Sequence, residues 1–389
     1  MKIIPYSHQW ITESDIKAVT KALRSDFLTQ GPQILAFEKA LANHAGTKYA
    51  VVVNSGTAAL HAAYFACGLT KGDEFITSPL TFAATTNAGL YLQATPVFSD
   101  IEKTTGNIDV SLIEKKITKK TKLLVPIHFS GYPADMEGIS RLAKKYGLYV
   151  IEDASQALGS TYQNIRIGNC TFADMVVLSF HPVKHITTGE GGAILTNNTE
   201  FYEKLLIFRT HGITKDSTKF KHIADGEWYH EMQALGYNYR ITDFQAALGI
   251  AQLKRITRVV KKRRAIAKMY DIAFKDNPYF DIVEEKNGYV SSYHLYPIRL
   301  KDSSKINKKE LFSELRRKGL GVQVHHIPVY LHPYYQQLGY KKNDYPFSNE
   351  FYEREISIPL FPTMTQKEIQ YVIKTLQTVL KNYGNINRK

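Results

Sequence analysis

The chain has 389 residues, a formal net charge of +14, 44% hydrophobic residues and two cysteines. That length can hold two or three domains with ordinary globular cores. Cys67 and Cys170 make neither a disulfide framework nor a metal-ligand spacing, and no apolar run reaches the length of a membrane span. The start, M-K-I-I-P-Y-S-H-Q-W, has Pro5 and no long apolar stretch. No signal peptide is expected there, and the expected location is the cytoplasm.

Between about residues 45 and 200, apolar runs at 50–53, 75–77, 123–127, 148–151 and 175–178 predict strands. Helical patterns at 57–67, 109–116 and 136–145 alternate with them. This is the α/β signature of a mostly parallel sheet covered on both faces. Residues 240–276 read as one long helical connector. Beyond about 280, strands (H-L-Y-P-I-R-L and 321–324) mix with a helix at 308–318, as in a smaller α+β domain. The expected division is a large domain over 1–250, with an N-terminal arm, and a connector plus small C-terminal domain over 251–389. Much of the positive charge sits in K-R-I-T-R-V-V-K-K-R-R, residues 254–264. Without interleaved aromatics or a nucleic-acid motif nearby, it reads as a solvated helix face, and no nucleic-acid partner is expected.

Sheets of this kind bind ligands beyond the carboxyl ends of their strands. Two segments place reactive side chains there. V-I-E-D-A-S-Q-A-L puts Asp153 at the end of an apolar run, and V-L-S-F-H-P-V-K-H-I-T-T-G-E-G-G puts Lys184 on the loop after another. A strand-end acid and a loop lysine are what pyridoxal phosphate (PLP) needs. The amine condenses with the aldehyde, and the acid keeps the pyridine nitrogen protonated so that the ring can take up electrons. Either residue alone would have a plainer reading, Asp153 as a helix cap and Lys184 as a solvated lysine. The glycine-rich turn at 189–192 would let backbone approach a cofactor closely. N-S-G-T opens a predicted helix right after a strand, so Gly56 and Thr57 can offer amides and a hydroxyl to a phosphate, with Ser179 adding a hydroxyl. The adjacent His325 and His326 have no acidic or cysteine partner at ligand spacing, so no metal is expected.

Taken together, these segments resemble the DegT-type sugar aminotransferases, PLP-dependent transferases of fold type I. The resemblance runs from Y-S-H-Q through L-T-Q-G-P, N-S-G-T-A-A-L, S-P-L-T-F-A-A-T and G-Y-N-Y-R-I-T-D to V-Q-V-H-H-I-P-V-Y, nearly the whole chain. It implies Lys184 as the catalytic lysine and Asp153 as the partner of the pyridine nitrogen. Gln156 would lie near the phenolic oxygen, and Phe82 would stack on the ring. It also implies that Asn238 reaches the phosphate of the other subunit, hence a homodimer with shared sites. Tyr6, Asp26, Phe27, Leu28, Thr29, His181, His325 and His326 would meet the nucleotide sugar. Relatives with histidine in place of the lysine dehydrate instead; Lys184 argues for amino transfer. The combination of Y-S-H-Q, F-H-P-V-K, K-D-N-P-Y-F and V-Q-V-H-H-I-P-V-Y points to a UDP-linked 4-keto sugar as acceptor and L-glutamate as donor.

Overall fold

The computed structural model describes residues 3–386. Its centre is a seven-stranded sheet. In chain order the strands are β1 (Tyr49–Val53), β2 (Glu74–Thr77), β3 (Thr95–Phe98), β4 (Thr121–Val125), β5 (Tyr149–Asp153), β6 (Met175–Ser179) and β7 (Gly192–Thr196). Their spatial order is β1-β7-β6-β5-β4-β2-β3. The pairs from β3 across to β6 are parallel, and β7 runs antiparallel to both β6 and β1.

The strands read as continuous apolar runs because both faces are covered. Successive side chains point to opposite faces. Val52, Ile76, Leu124, Val150 and Val176 therefore enter one core with Phe37 and Leu41 of α2 (Pro32–Ala45) and Ile139 of α5 (Met136–Tyr146). Their neighbours Val51, Phe75, Leu123, Ile151 and Val177 enter the other, with Ala59 and Ala63 of α3 (Gly56–Ala66) and Leu205 of α6 (Thr199–Phe208). Between α3 and α5, helix α4 (Ala84–Tyr91) packs on this second side.

Three sequence expectations need correction. Residues 109–116 are not an α-helix but two 3-10 turns, Val110–Leu112 and Glu114–Lys116. Only Ile113 is buried there, so no apolar face supports a longer helix. The connector is two helices, α7 (Asp243–Leu253) and α8 (Ile256–Phe274). Residues 321–324 form no regular strand; Gln323 makes a single bridge to Ser357.

The basic run is also more than a solvated face. Arg255 pairs with Asp15 of α1 (Glu13–Leu23) at 2.5 Å. Arg255, Arg258 and Lys262 surround the Trp10 ring at 4.9, 5.2 and 5.1 Å. Arg264 pairs with Glu285 at 2.6 Å. Arg263 is 1% exposed, and its Nη1 lies 3.1 Å from the carbonyl oxygens of Tyr293, His294 and Leu360. Burial pulls its pKa down to about 10, which still leaves it charged at neutral pH.

Helix α8 joins this body to a separate core. Ile256 and Val259 belong to the sheet side, whereas Ile266, Ala267, Tyr270 and Phe274 pack with the strands Phe280–Ile282, Tyr296–Leu300 and Glu355–Ile358 and the helices Lys308–Arg317 and Gln366–Ile386. The N-terminal arm reaches into that same core. Ile4 is buried there, its N–H donates to Gly319 and its carbonyl accepts from Gly321. Tyr6 is thereby held against the His325 ring at a centroid distance of 5.4 Å.

Arg263→Met should lower unfolding free energy by about 3 kcal/mol, because three buried carbonyls lose a charged donor. Urea or guanidinium titration measures it, and a loss under about 1 kcal/mol would show that the guanidinium is dispensable.

Candidate active site

A cavity of about 620 Å³ opens beyond the carboxyl ends of β1, β2, β5 and β6. Its wall holds Gly56, Thr57, Phe82, Asp153, Gln156, Ser179, His181 and Lys184, together with Tyr6, His325 and His326 from the side of the second core. A wider groove of about 930 Å³ lies between α1 and α7, lined by Lys17, Lys21 and Arg24, and carries none of these groups.

The register of β5 on β6, with Asp153 opposite Val177, sets Asp153 beside the loop that carries Lys184. Asp153 is buried; its Oδ2 accepts from Thr85 Oγ1 at 2.8 Å and its Oδ1 from the Ser155 N–H at 3.2 Å. Thr85 in turn shares a 2.8 Å hydrogen bond with Thr81. Lys184 has no carboxylate within salt-bridge distance and no side-chain hydrogen bond among the described residues. Burial pulls its amine down to about 8, with nearby Asp153 opposing the shift. Three imidazoles beside it are neutral. Burial, with Lys184 close by, holds His294 and His326 well below the ordinary imidazole range and His325 near 4.

At the other end of the cavity, α3 begins. Ser55 Oγ caps it by accepting from the Ala58 N–H at 3.0 Å, which leaves the Gly56 and Thr57 amides free to face an anion. A Cβ at Gly56 would sit 3.1 Å from the Ser179 Cβ and 3.2 Å from its Oγ. The glycine keeps open the space between the helix start and Ser179. A free buried amine, a carboxylate held by a hydroxyl and an anion cradle fit PLP. Lys184 would hold its aldehyde carbon, Asp153 its ring nitrogen, and Gly56, Thr57 and Ser179 its phosphate.

Gln156 is already engaged: its Oε1 accepts from the Ser130 N–H at 2.7 Å, and its Nε2 lies 3.3 Å from His326 Nε2. Phe82 stands at the cavity wall 65% exposed, 6.1 Å from the His326 ring.

Five expected residues lie outside the cavity. Asp26, Phe27, Leu28 and Thr29 form an exposed strip before α2, tied to α7 through the Asp243 N–H donating to the Leu28 carbonyl at 2.9 Å. Asn238 is exposed, its carbonyl accepting from Asn54 Nδ2 at 3.3 Å. Sequence reasoning missed Thr81, Thr85, Ser55, His294 and Gln323, all at the wall. Thr85 lies in the S-P-L-T-F-A-A-T segment, but only the packing of α4 on the sheet turns it toward Asp153.

Residues 9–377 match the DegT/DnrJ/EryC1/StrS aminotransferase family. The chain belongs to that family. It is an aminotransferase of fold type I, with pyridoxal phosphate as cofactor. It is 43% identical to the UDP-4-amino-4,6-dideoxy-N-acetyl-beta-L-altrosamine transaminase of Campylobacter jejuni strain 81-176, over 97% of this chain and 98% of that one. Among solved structures it is similar to Helicobacter pylori PseC, an aminotransferase involved in the biosynthesis of pseudoaminic acid. The TM-score is 0.90 at 37% identity, covering 98% of this chain and 100% of that one. The PLP-form of the sugar aminotransferase Spr1654 from Streptococcus pneumoniae superposes with a TM-score of 0.91 at 30% identity, over 98% of this chain and 99% of that one.

The lowered pKa of Lys184 predicts how the apoprotein takes up PLP. Only the uncharged amine is a nucleophile. Capture, followed by absorbance in stopped flow, should therefore speed up as pH rises through about 8 and then level off. A rate still climbing steeply at about pH 10, the range of an ordinary lysine, would contradict the tuned amine. Lys184→Ala should give no covalent capture at any pH.

Proposed function

We propose that this enzyme moves the amino group of L-glutamate to C4 of UDP-2-acetamido-2,6-dideoxy-β-L-arabino-hexos-4-ulose. The product would be UDP-4-amino-4,6-dideoxy-N-acetyl-β-L-altrosamine, in pseudaminic acid biosynthesis. The observation that carries the reading is the buried amine of Lys184, drawn down in pKa, in the cavity wall near Asp153, in a chain that matches such transaminases over nearly its whole length. PLP, when bound, supplies the electron sink that makes the carbon next to an amine acidic. Lys184 would hold the cofactor's aldehyde, and its amine, once released, would be the group that carries a proton. Asp153, held by Thr85, would pair with the ring nitrogen. Gln156, backed by Ser130, lines the cavity beside His326 and would lie near the cofactor. Tyr6, His181, His325 and His326 face the sugar.

The same reading takes the enzyme as a cytoplasmic homodimer. Among the described residues no helix is long and apolar enough to cross a membrane. Asn238 and the Asp26–Thr29 strip are proposed to serve the partner's cavity, and their exposure outside their own supports this. So do the uncovered apolar side chains Phe27, Leu28, Leu35, Leu235 and Tyr237 in the same regions of the chain. The separate cores support a cofactor-binding domain over 1–250 followed by a helical connector and a smaller domain over 251–389, with Leu253, Ile256 and Val259 of the connector packed in the first core and Ile4 of the arm in the second.

Subunit exchange tests the shared site. Lys184→Ala and Asn238→Ala homodimers should both be impaired, and mixing them should restore activity. One hybrid site then carries both defects and the other neither, so about half of the hybrid's sites should work. If mass spectrometry shows exchange and no activity returns, Asn238 serves its own chain.

A competition tests the substrate. The L-arabino 4-keto sugar should be aminated with a higher specificity constant than its D-xylo epimer, with NMR identifying the product. A sugar without the acetamido group should lose at least about ten-fold, since its former hydrogen-bond partners would stay unpaired. Preference for the D-xylo epimer would move the enzyme to another member of the family.

A further inference from the structure

Behind His325 stand two groups with no part in the mechanism above, Glu355 and Ser357 on the strand Glu355–Ile358. Both are buried, at 0% and 1% exposure. Glu355 Oε2 accepts from the backbone N–H of His325 at 2.8 Å. Its Oε1 accepts from Ser357 Oγ at 2.5 Å. Ser357 Oγ also lies 2.9 Å from His325 Nδ1. A hydroxyl has one proton to give. Once it is given to the carboxylate, the Ser357 oxygen can only accept from His325, so Nδ1 must carry the hydrogen. A neutral imidazole has one N–H, so the lone pair falls on Nε2. Nε2 has no hydrogen-bond partner among the described residues and is not sealed off, and His325 lines the cavity.

We propose that Glu355 and Ser357 are positioning residues that fix His325 as its Nδ1–H tautomer. The Nε2 lone pair then accepts a hydrogen bond from a donor on the sugar substrate, the C3 hydroxyl beside the keto carbon or the acetamido N–H on C2. This rests on the nucleotide-sugar reading for its ligand, but not for its tautomer.

The chain of bonds has a direction, and the charge on Glu355 sets it. Burial pushes the Glu355 carboxyl up to about 7, against the hydrogen bonds from Ser357 and His325 and the charge of Lys308. Lys184, His294, His326 and Tyr6 also face His325. Above that pH the carboxylate accepts, and Nε2 is bare. Below it a protonated Glu355 donates to Ser357, Ser357 donates to Nδ1, and the hydrogen moves to Nε2.

The test is 15N NMR of the histidine-labelled, PLP-loaded enzyme without substrate, with His325 assigned by loss of its signals in His325→Asn. At about pH 8.5 the wild type should show a protonated Nδ1 and a bare Nε2. Glu355→Gln should reverse this at the same pH. Its amide oxygen must still accept from the His325 N–H, so its NH2 group faces Ser357 and donates. Ser357→Ala covers the case in which Glu355→Gln does not fold, and should lose the Nδ1–H preference. In kinetics, both variants should raise KM for the nucleotide sugar about ten-fold and leave the half-reaction with glutamate unchanged. Ser357→Thr should restore both readouts. A wild-type Nε2–H at about pH 8.5, or equal losses in both half-reactions, would overturn the proposal. If the wild type aminates no nucleotide sugar yet shows the bare Nε2, the substrate reading fails and the tautomer assignment stands.

Discussion

The site depends on one pairing, the parallel register of β5 on β6. It carries Asp153 to the sheet's edge next to the strand whose following loop bears Lys184. Parallel strands end on the same side, so their loops converge at one rim. The rest of the cavity is built from that rim. The start of α3 follows β1 and supplies amides; α4 follows β2 and turns Thr85 onto Asp153. A slip by one residue would turn Asp153 into the helical layer and expose its buried neighbours to the wrong face.

The opposite wall comes from the smaller core, and α8 fastens the two together. Its lower turns pack on the sheet side and its upper turns on the other core. Arg263, between them, gathers carbonyls from the segment that holds His294 and from Leu360. The N-terminal arm is a second fastening, because Ile4 sits in the smaller core while Tyr6 reaches the cavity.

Electrostatics in the cavity follow from burial more than from pairing. Lys184 has no counterion in contact, and the imidazoles around it are neutral. Such a surrounding leaves an amine free to act as a nucleophile.

The amino-acid sequence alone determined the α/β class and five of the seven strands of the sheet, and it singled out Asp153 and Lys184 as candidate reactive groups. Those signals are local: apolar runs bounded by turns, an acid at a strand end, a lysine before glycines. Gly56, Thr57 and Ser179 stand out as candidates for the same reason, since a helix start after a strand is a local anion site. Only the tertiary structure decided that residues 109–116 are two 3-10 turns and that Arg263 is buried, because both turn on what packs against them. It alone set Thr85 against Asp153 and Glu355 and Ser357 behind His325, groups separated by 68, 30 and 32 residues in the chain. Hydrogen bonds at that separation leave no periodicity in sequence; they exist only once strands and loops have been brought together.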